Sequence, residues 1–202
     1  VDPATGTDRV ADVLIRGGTV TEILDPGSTP PADATVVDVA GKIVGPGFID
    51  LHSHVHSIAG QRLQAMDGVT TALDLEMGLS PVEKAYADAT AQGRPLHYGF
   101  SASWLLARAV VLSGRTADAD PFGGLDILSD RAWLGDSSPA QLARWLGILE
   151  SELADGALGI GVLMGYAPET DPAEFRAVAR LAASAGAPTF THVREIVESN
   201  PA

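Results

Sequence analysis

Five histidines stand in a chain that has no cysteine: His52, His54, His56, His97 and His192. Three of them fall in one short stretch, Asp50-Leu-His-Ser-His-Val-His56. In an extended segment alternate residues face the same side, so His52 and His54 can converge on one point. Neutral imidazoles at that spacing suit a divalent cation, and without thiolates the other ligands must be His or carboxylate. The competing reading is a polar strand end with coincidental histidines. His56 lies further along and reads as a loop residue. His97 begins a later strand, at the end away from the cluster, and reads as structural.

The elements that must hold these side chains show in the patterning. Residues 1–46 read as short β segments with turns: Asp12–Arg16 closed by Gly17-Gly18, then Thr19–Leu24, a Pro- and Gly-rich break, and a strand over 34–39 ending at Gly41. From Gly47 strands alternate with helices. Strands are expected over 48–51, 69–75, 96–103, 157–164 and 188–193. Helices are expected over 61–66, from Pro81 as first helical residue to about 92, over 139–154, and from Asp171-Pro172 to about 185. The third helix carries Leu142, Trp145, Leu146, Leu149 and Leu153 on one stripe. Residues 104–138 read as a long insertion after the third strand, with Trp104 and Trp133 as core or insertion packing and Asp118-Ala-Asp120 as a solvated loop.

This alternation predicts right-handed crossovers and a parallel sheet. A closed eight-stranded barrel needs roughly 250 residues, and five units are too few for it. Periodicity leaves two solutions: an open doubly wound sheet, or a barrel without its last three units.

Composition narrows the partners. The chain has 202 residues, 46% of them hydrophobic, which is enough to bury a sizeable core. Its formal net charge of −13 argues against nucleic acid and anionic membranes, both of which reward positive surface. The first sixteen residues carry Asp2, Asp8, Arg9, Asp12 and Arg16 and lack the apolar run of a leader, and later apolar runs fall short of a span. A cytoplasmic protein is the expectation. Because the chain starts at Val1 without Met, a processed or truncated N-terminus is expected too.

Pro46-Gly-Phe-Ile-Asp-Leu-His-Ser-His54, preceded by a β-rich segment, closely resembles the first-strand signature of the amidohydrolase superfamily. Gly68-Val-Thr-Thr71, Gly156-Ala-Leu-Gly-Ile-Gly161 with Tyr166-Ala-Pro168, and Thr191-His-Val-Arg-Glu195 resemble the second, fourth and fifth strands of its D-aminoacylase branch, in the same order. The resemblance implies an α/β fold of the (β/α)8 TIM-barrel type. About the first five β/α units would be present over 47–202, with a partial β-sandwich segment over 1–46. It also implies one or two divalent ions, Zn²⁺ above all, held by His52, His54 and His192, and a small-molecule N-acyl amino acid or related amide as substrate. Self-association is left open.

Several residues depart from that pattern. The branch uses a Cys after the second strand, and alignment on Gly68-Val-Thr-Thr71 puts Met77 there. A thioether is a poor ligand for hard cations, so the neighbouring Glu76 is expected to bridge two metals, with a strand-end cap as its other reading. Asp74 should face the same side one step deeper. The only lysines, Lys42 and Lys84, are misplaced for the carboxylated Lys of other members. Arg194 is expected to grip a substrate carboxylate or to pair with Glu195 or Glu198. Tyr166 could donate to a carbonyl or serve as packing. The family's sixth-strand His and its proton-shuttling eighth-strand Asp would lie beyond Ala202, so the chain is expected to be a fragment, inactive alone.

The leading functional expectation is a metal-dependent hydrolase of non-peptide C–N bonds, similar to N-acyl-D-amino-acid deacylases. The alternatives are a cyclic-amide hydrolase, dihydroorotase- or hydantoinase-like, and an incomplete non-catalytic amidohydrolase fragment.

Overall fold

A computed structural model describes residues 1–114 and 131–193. The chain divides into two compact units, Val1–Gly47 and Phe48–Ala202. In the first, β1 (Asp12–Arg16) and β2 (Thr19–Leu24) pair antiparallel. Gly17 and Gly18, at φ of 56° and 79°, make the two-residue turn that L side chains resist. The strand expected over 34–39 is absent. Val36 and Val37 are exposed there, and no neighbouring strand supplies a ladder.

The second unit is built on five parallel strands: β3 (Phe48–Asp50), β4 (Val69–Leu79), β5 (His97–Ser103), β6 (Ile160–Leu163) and β7 (Thr189–His192). They lie side by side in chain order. A doubly wound sheet reverses its strand order at a switch point, and this one does not. The order is that of a barrel arc, which resolves the choice periodicity left open. Helices follow the strands: α1 (Ile58–Met66), α2 (Val82–Gln92), α3 (Trp104–Leu112), α4 (Pro139–Ala154) and α5 (Pro172–Ser184).

Local chemistry sets their ends. Ser138 and Gln141 form a reciprocal capping box before α4, and Asp171 caps α5. Pro81 precedes α2 rather than opening it, and has no side chain to cap with. Glu152, reaching over from α4, accepts from Val82 N and Ser80 Oγ instead.

The insertion expected over 104–138 is corrected at its start. Residues 104–112 form α3, which enters the core directly from β5 with Trp104, Leu105, Leu106, Ala107 and Ala109 buried. Its run is apolar but for Arg108, so no polar stripe marks it as a helix. Asp118 and Asp120 lie outside the described residues. Trp104, Trp133, Trp145, Leu149, Ile160, Val162 and Val178 fill the main core. Arg108 is buried inside α3, where it pairs with Glu174 of α5, donates to the carbonyls of Trp133 and Gly135, and stands 5.0 Å from the Trp104 ring centroid. Among the described residues, no helix is long and apolar enough to cross a membrane.

Candidate metal centre

All five parallel strands deliver their carboxyl ends to one edge of the sheet, which is where the candidate residues gather. β3 stops at Asp50, so His52 and His54 stand just past it rather than within it. The chain stays extended there because Ser53 N donates to Leu73 O and His52 bridges to Asp74. Asp50 accepts from His52 N and from Gln64 of α1, which also donates to Ser53 Oγ. So held, the two imidazoles sit edge to face, with ring centroids 4.9 Å apart.

Glu76 arrives by a different device. Asp74 of β4 pairs with Phe100 of β5 and Leu79 with Ala102, so five residue steps on β4 face two on β5. The surplus forms a bulge, a feature that re-aims side chains beside functional sites. Ser101 Oγ donates to Leu75 O, and Gly78 N donates to Asp74 Oδ1. Gly78 is at φ 69°, and a Cβ there would meet Ser101 O at 2.6 Å, so the turn requires glycine. Glu76 projects from this bulge into the site. Met77, in the position of the branch's Cys, packs against the core instead.

The Glu76 carboxylate stands at the centre of the cluster. Its Oε2 lies 3.4 Å from His52 Nε2 and 3.5 Å from His54 Nε2, and its Oε1 lies 2.6 Å from His192 Nδ1. One ligand atom from each of His52, His54 and Glu76 falls within 4.8 Å of the others. Two imidazole nitrogens and a carboxylate oxygen, close enough to share one centre, are a donor set that fits a divalent cation such as Zn²⁺. A cavity of about 310 Å³ opens over His52, Glu76 and His192, walled also by Leu51, Phe190 and Val193.

The same carboxylates also hold a proton on the neighbouring imidazole. His54 is pushed up to about 10 by its hydrogen bond to Asp74 and then by that to Glu76. Burial pushes Asp74 upward, but the hydrogen bonds from His54 and His56 outweigh it and hold the carboxyl at about 2. Burial also raises Glu76, and the hydrogen bonds from His54 and His192 prevail, so it stays below the usual carboxylate range. The pocket is built to keep carboxylates ionised beside imidazoles.

His52, His54, Glu76 and His192 thus come together. Tyr166, on a short 3-10 turn after β6, is half exposed with its ring 5.1 Å from that of His192. Arg194 lies outside the described residues. His97 is exposed at the far end of β5. His56 is in a loop, but its Nε2 is 2.9 Å from Asp74 Oδ2, a contact that its position in the sequence did not announce. Asp74 is fully buried and receives His54, His56 and Gly78 N. A lone carboxylate inside the apolar run Ala72-Leu-Asp-Leu75 was the available signal, because such a group is buried only with partners.

No family model matches the chain. The N-acyl-D-glutamate deacylase of Alcaligenes xylosoxydans xylosoxydans is 30% identical over 209 residues, covering 96% of this chain and 42% of that protein. The dihydroorotase of Geobacter sulfurreducens is 40% identical over 80 residues, 35% of this chain and 19% of that protein. Two crystal structures share the fold at 22% identity, each over 93% of this chain and 42% of theirs. One is D-aminoacylase, at a TM-score of 0.68; the other is the N-acyl-D-glutamate deacylase of Bordetella bronchiseptica, at 0.71, complexed with zinc and a phosphonate mimic of its tetrahedral intermediate. The chain spans less than half the length of each of these proteins. Its five parallel strands form a partial TIM barrel matching D-aminoacylase, and the chain belongs to the amidohydrolase superfamily, with the D-aminoacylases and N-acyl-D-glutamate deacylases as its neighbours.

Proposed function

We propose that this centre serves a metal-dependent hydrolase of non-peptide amide C–N bonds, of the N-acyl-D-amino-acid deacylase type. The observation that carries the reading is the Glu76 carboxylate, which turns one oxygen to His52 and His54 and the other to His192. A carboxylate so turned would bridge two hard cations, a role the Met77 thioether could not fill. His52, His54 and His192 complete the donor set, and Zn²⁺ suits it. A divalent ion there supplies a water acidified toward neutrality and a polarised carbonyl.

The chain's own residues prepare the rest. Leu51, Phe190 and Val193 give the cavity an apolar wall for an acyl group. Tyr166, its ring beside that of His192, would donate its phenol to the amide oxygen. Arg194 follows His192 by two residues and would take the amino-acid carboxylate as a bidentate pair. The proton that leaves the attacking water must reach the departing nitrogen, a transfer the family resemblance gives to an eighth-strand Asp.

A second reading, a cyclic-amide hydrolase, is favoured by the local identity to dihydroorotase. One experiment separates them. The full-length protein, loaded with Zn²⁺, is assayed against N-acyl-D-amino acids, their L enantiomers, dihydroorotate and hydantoins. Deacylation of the D series with one or two zinc ions bound supports the proposal. Turnover of the cyclic amides alone would move the protein to the second reading, and no bound metal would remove both.

A further inference from the structure

We infer that Asp74 is the positioning residue of the centre: one of its oxygens fixes the ring of His54, and the other closes the bulge that presents Glu76. The inference rests on the metal reading above and adds what sets the spacing of two of its ligands.

Asp74 is 1% exposed, and its carboxylate receives three donors from two segments, the stretch after β3 and the end of β4. Oδ2 takes His54 Nδ1 at 3.1 Å and His56 Nε2 at 2.9 Å, and Oδ1 takes Gly78 N at 3.1 Å. In the neutral form of His54, Nδ1 donating to Asp74 leaves the lone pair on Nε2, the nitrogen that stands 3.5 Å from Glu76 Oε2 at the centre. With Gly78 N tied to Oδ1, the peptide between residues 74 and 78 is drawn into a loop with Glu76 inside it. One rigid group therefore determines both how His54 turns and where Glu76 stands. His56 steadies it from behind, its own ring packed 5.7 Å from Phe100. Outer carboxylates of this kind change metal affinity by about 10- to 100-fold when lost.

The test is a Co²⁺ titration of the full-length protein, followed by its ligand-field absorption, for wild type, Asp74→Asn and a His52→Ala, His54→Ala control, with thermal unfolding of each metal-free form. Asn keeps an oxygen for Gly78 N but turns an N–H donor toward His54 Nδ1. That favours the tautomer whose Nε2 carries the proton and cannot ligate. The expected result is Co²⁺ binding weakened about 10- to 100-fold with an altered ligand-field band, alongside whatever unfolding temperature the metal-free form loses. A merely structural Asp74 would lower the unfolding temperature and leave affinity and band unchanged, which overturns the inference. If the double-alanine control binds Co²⁺ as wild type does, the metal reading itself fails. Should Asp74→Asn not fold, ¹⁵N chemical shifts of the His54 ring in zinc-loaded wild type decide. Ligation through Nε2 with a protonated Nδ1 upholds the inference, and ligation through Nδ1 refutes it.

Discussion

Glu76 and His192 are 116 residues apart in sequence and meet at 2.6 Å. They stand on β4 and β7, which have β5 and β6 between them. Three strand spacings in a flat sheet would hold these positions about 14 Å apart. The bulge on β4 and the curvature of a barrel arc close that distance. The site is thus a consequence of the fold's curvature as much as of its residues, and the first prediction tests its centre.

Glu76→Gln keeps the shape of the side chain and removes its charge. A carboxylate between two cations gains strong attraction that an amide cannot supply. Metal analysis of the full-length variant should show the bound ions falling from about two toward one per chain, with deacylase activity falling alongside. Folding should be nearly unaffected. An unchanged metal content would leave Glu76 as a strand-end cap.

Gly165→Ala probes the other flank. A Cβ at this position would press on the His192 ring, with Nε2 only 2.9 Å away and Val193 O at the same distance. The ring must swing away from Glu76 to make room. Expected are a loss of metal affinity of 10-fold or more on the scale of a disturbed ligand and a drop in stability of about 1–3 kcal/mol, the usual cost of overpacking. Calorimetric zinc titration beside urea unfolding checks both.

Much of this architecture was legible in the sequence, and the failures have physical reasons. α4 is amphipathic with a capping serine, and its bounds match the expectation at both ends. α3 was missed because burial on every side erases the stripe that marks a helix. The histidine pair was legible from its spacing, although it converges just beyond β3 rather than on it. Glu76 was expected at the site from its place beside Met77, but the bulge that delivers it was not legible, because only the neighbouring strand fixes its register. The role of Asp74 depends likewise on loop residue His56 folding back, a contact with no local signature.

The pair between Arg108 and Glu174 offers a stability prediction away from the site. Both are buried, so removing Arg108 leaves the Glu174 carboxylate without its guanidinium. Breaking a buried pair from one side leaves an uncompensated charge. Arg108→Met should therefore destabilise the protein by about 3–5 kcal/mol. Arg108→Met combined with Glu174→Leu should recover a large part of that loss, since no buried charge remains. Urea unfolding of the two variants measures the difference. Equal losses in the single and double variants would show that packing, not charge, dominates there.

Glu152 gives the pH dependence its sign. Burial raises its carboxyl above the ordinary value, against the opposing hydrogen bonds from Ser80 and Val82. The folded chain therefore holds this proton more tightly than the unfolded chain does. Between the unfolded value of about 4.5 and the raised folded one, the native state binds more protons. Stability from this group is fully present below that window and is lost as pH rises through it. Glu152→Gln removes the titration yet can satisfy the same partners, its oxygen accepting from Val82 N and its amide donating to Ser80 Oγ. The variant should match wild type at pH 4 and be the more stable of the two at pH 7. Thermal unfolding of both proteins at half-unit steps from pH 4 to 7 tests this, because groups common to the two cancel in the difference. A gap that stays constant would show that folding does not shift Glu152, and one that moves in wild type's favour as pH rises would show that it is held as a carboxylate. Its ionised form would then be the one that caps α2.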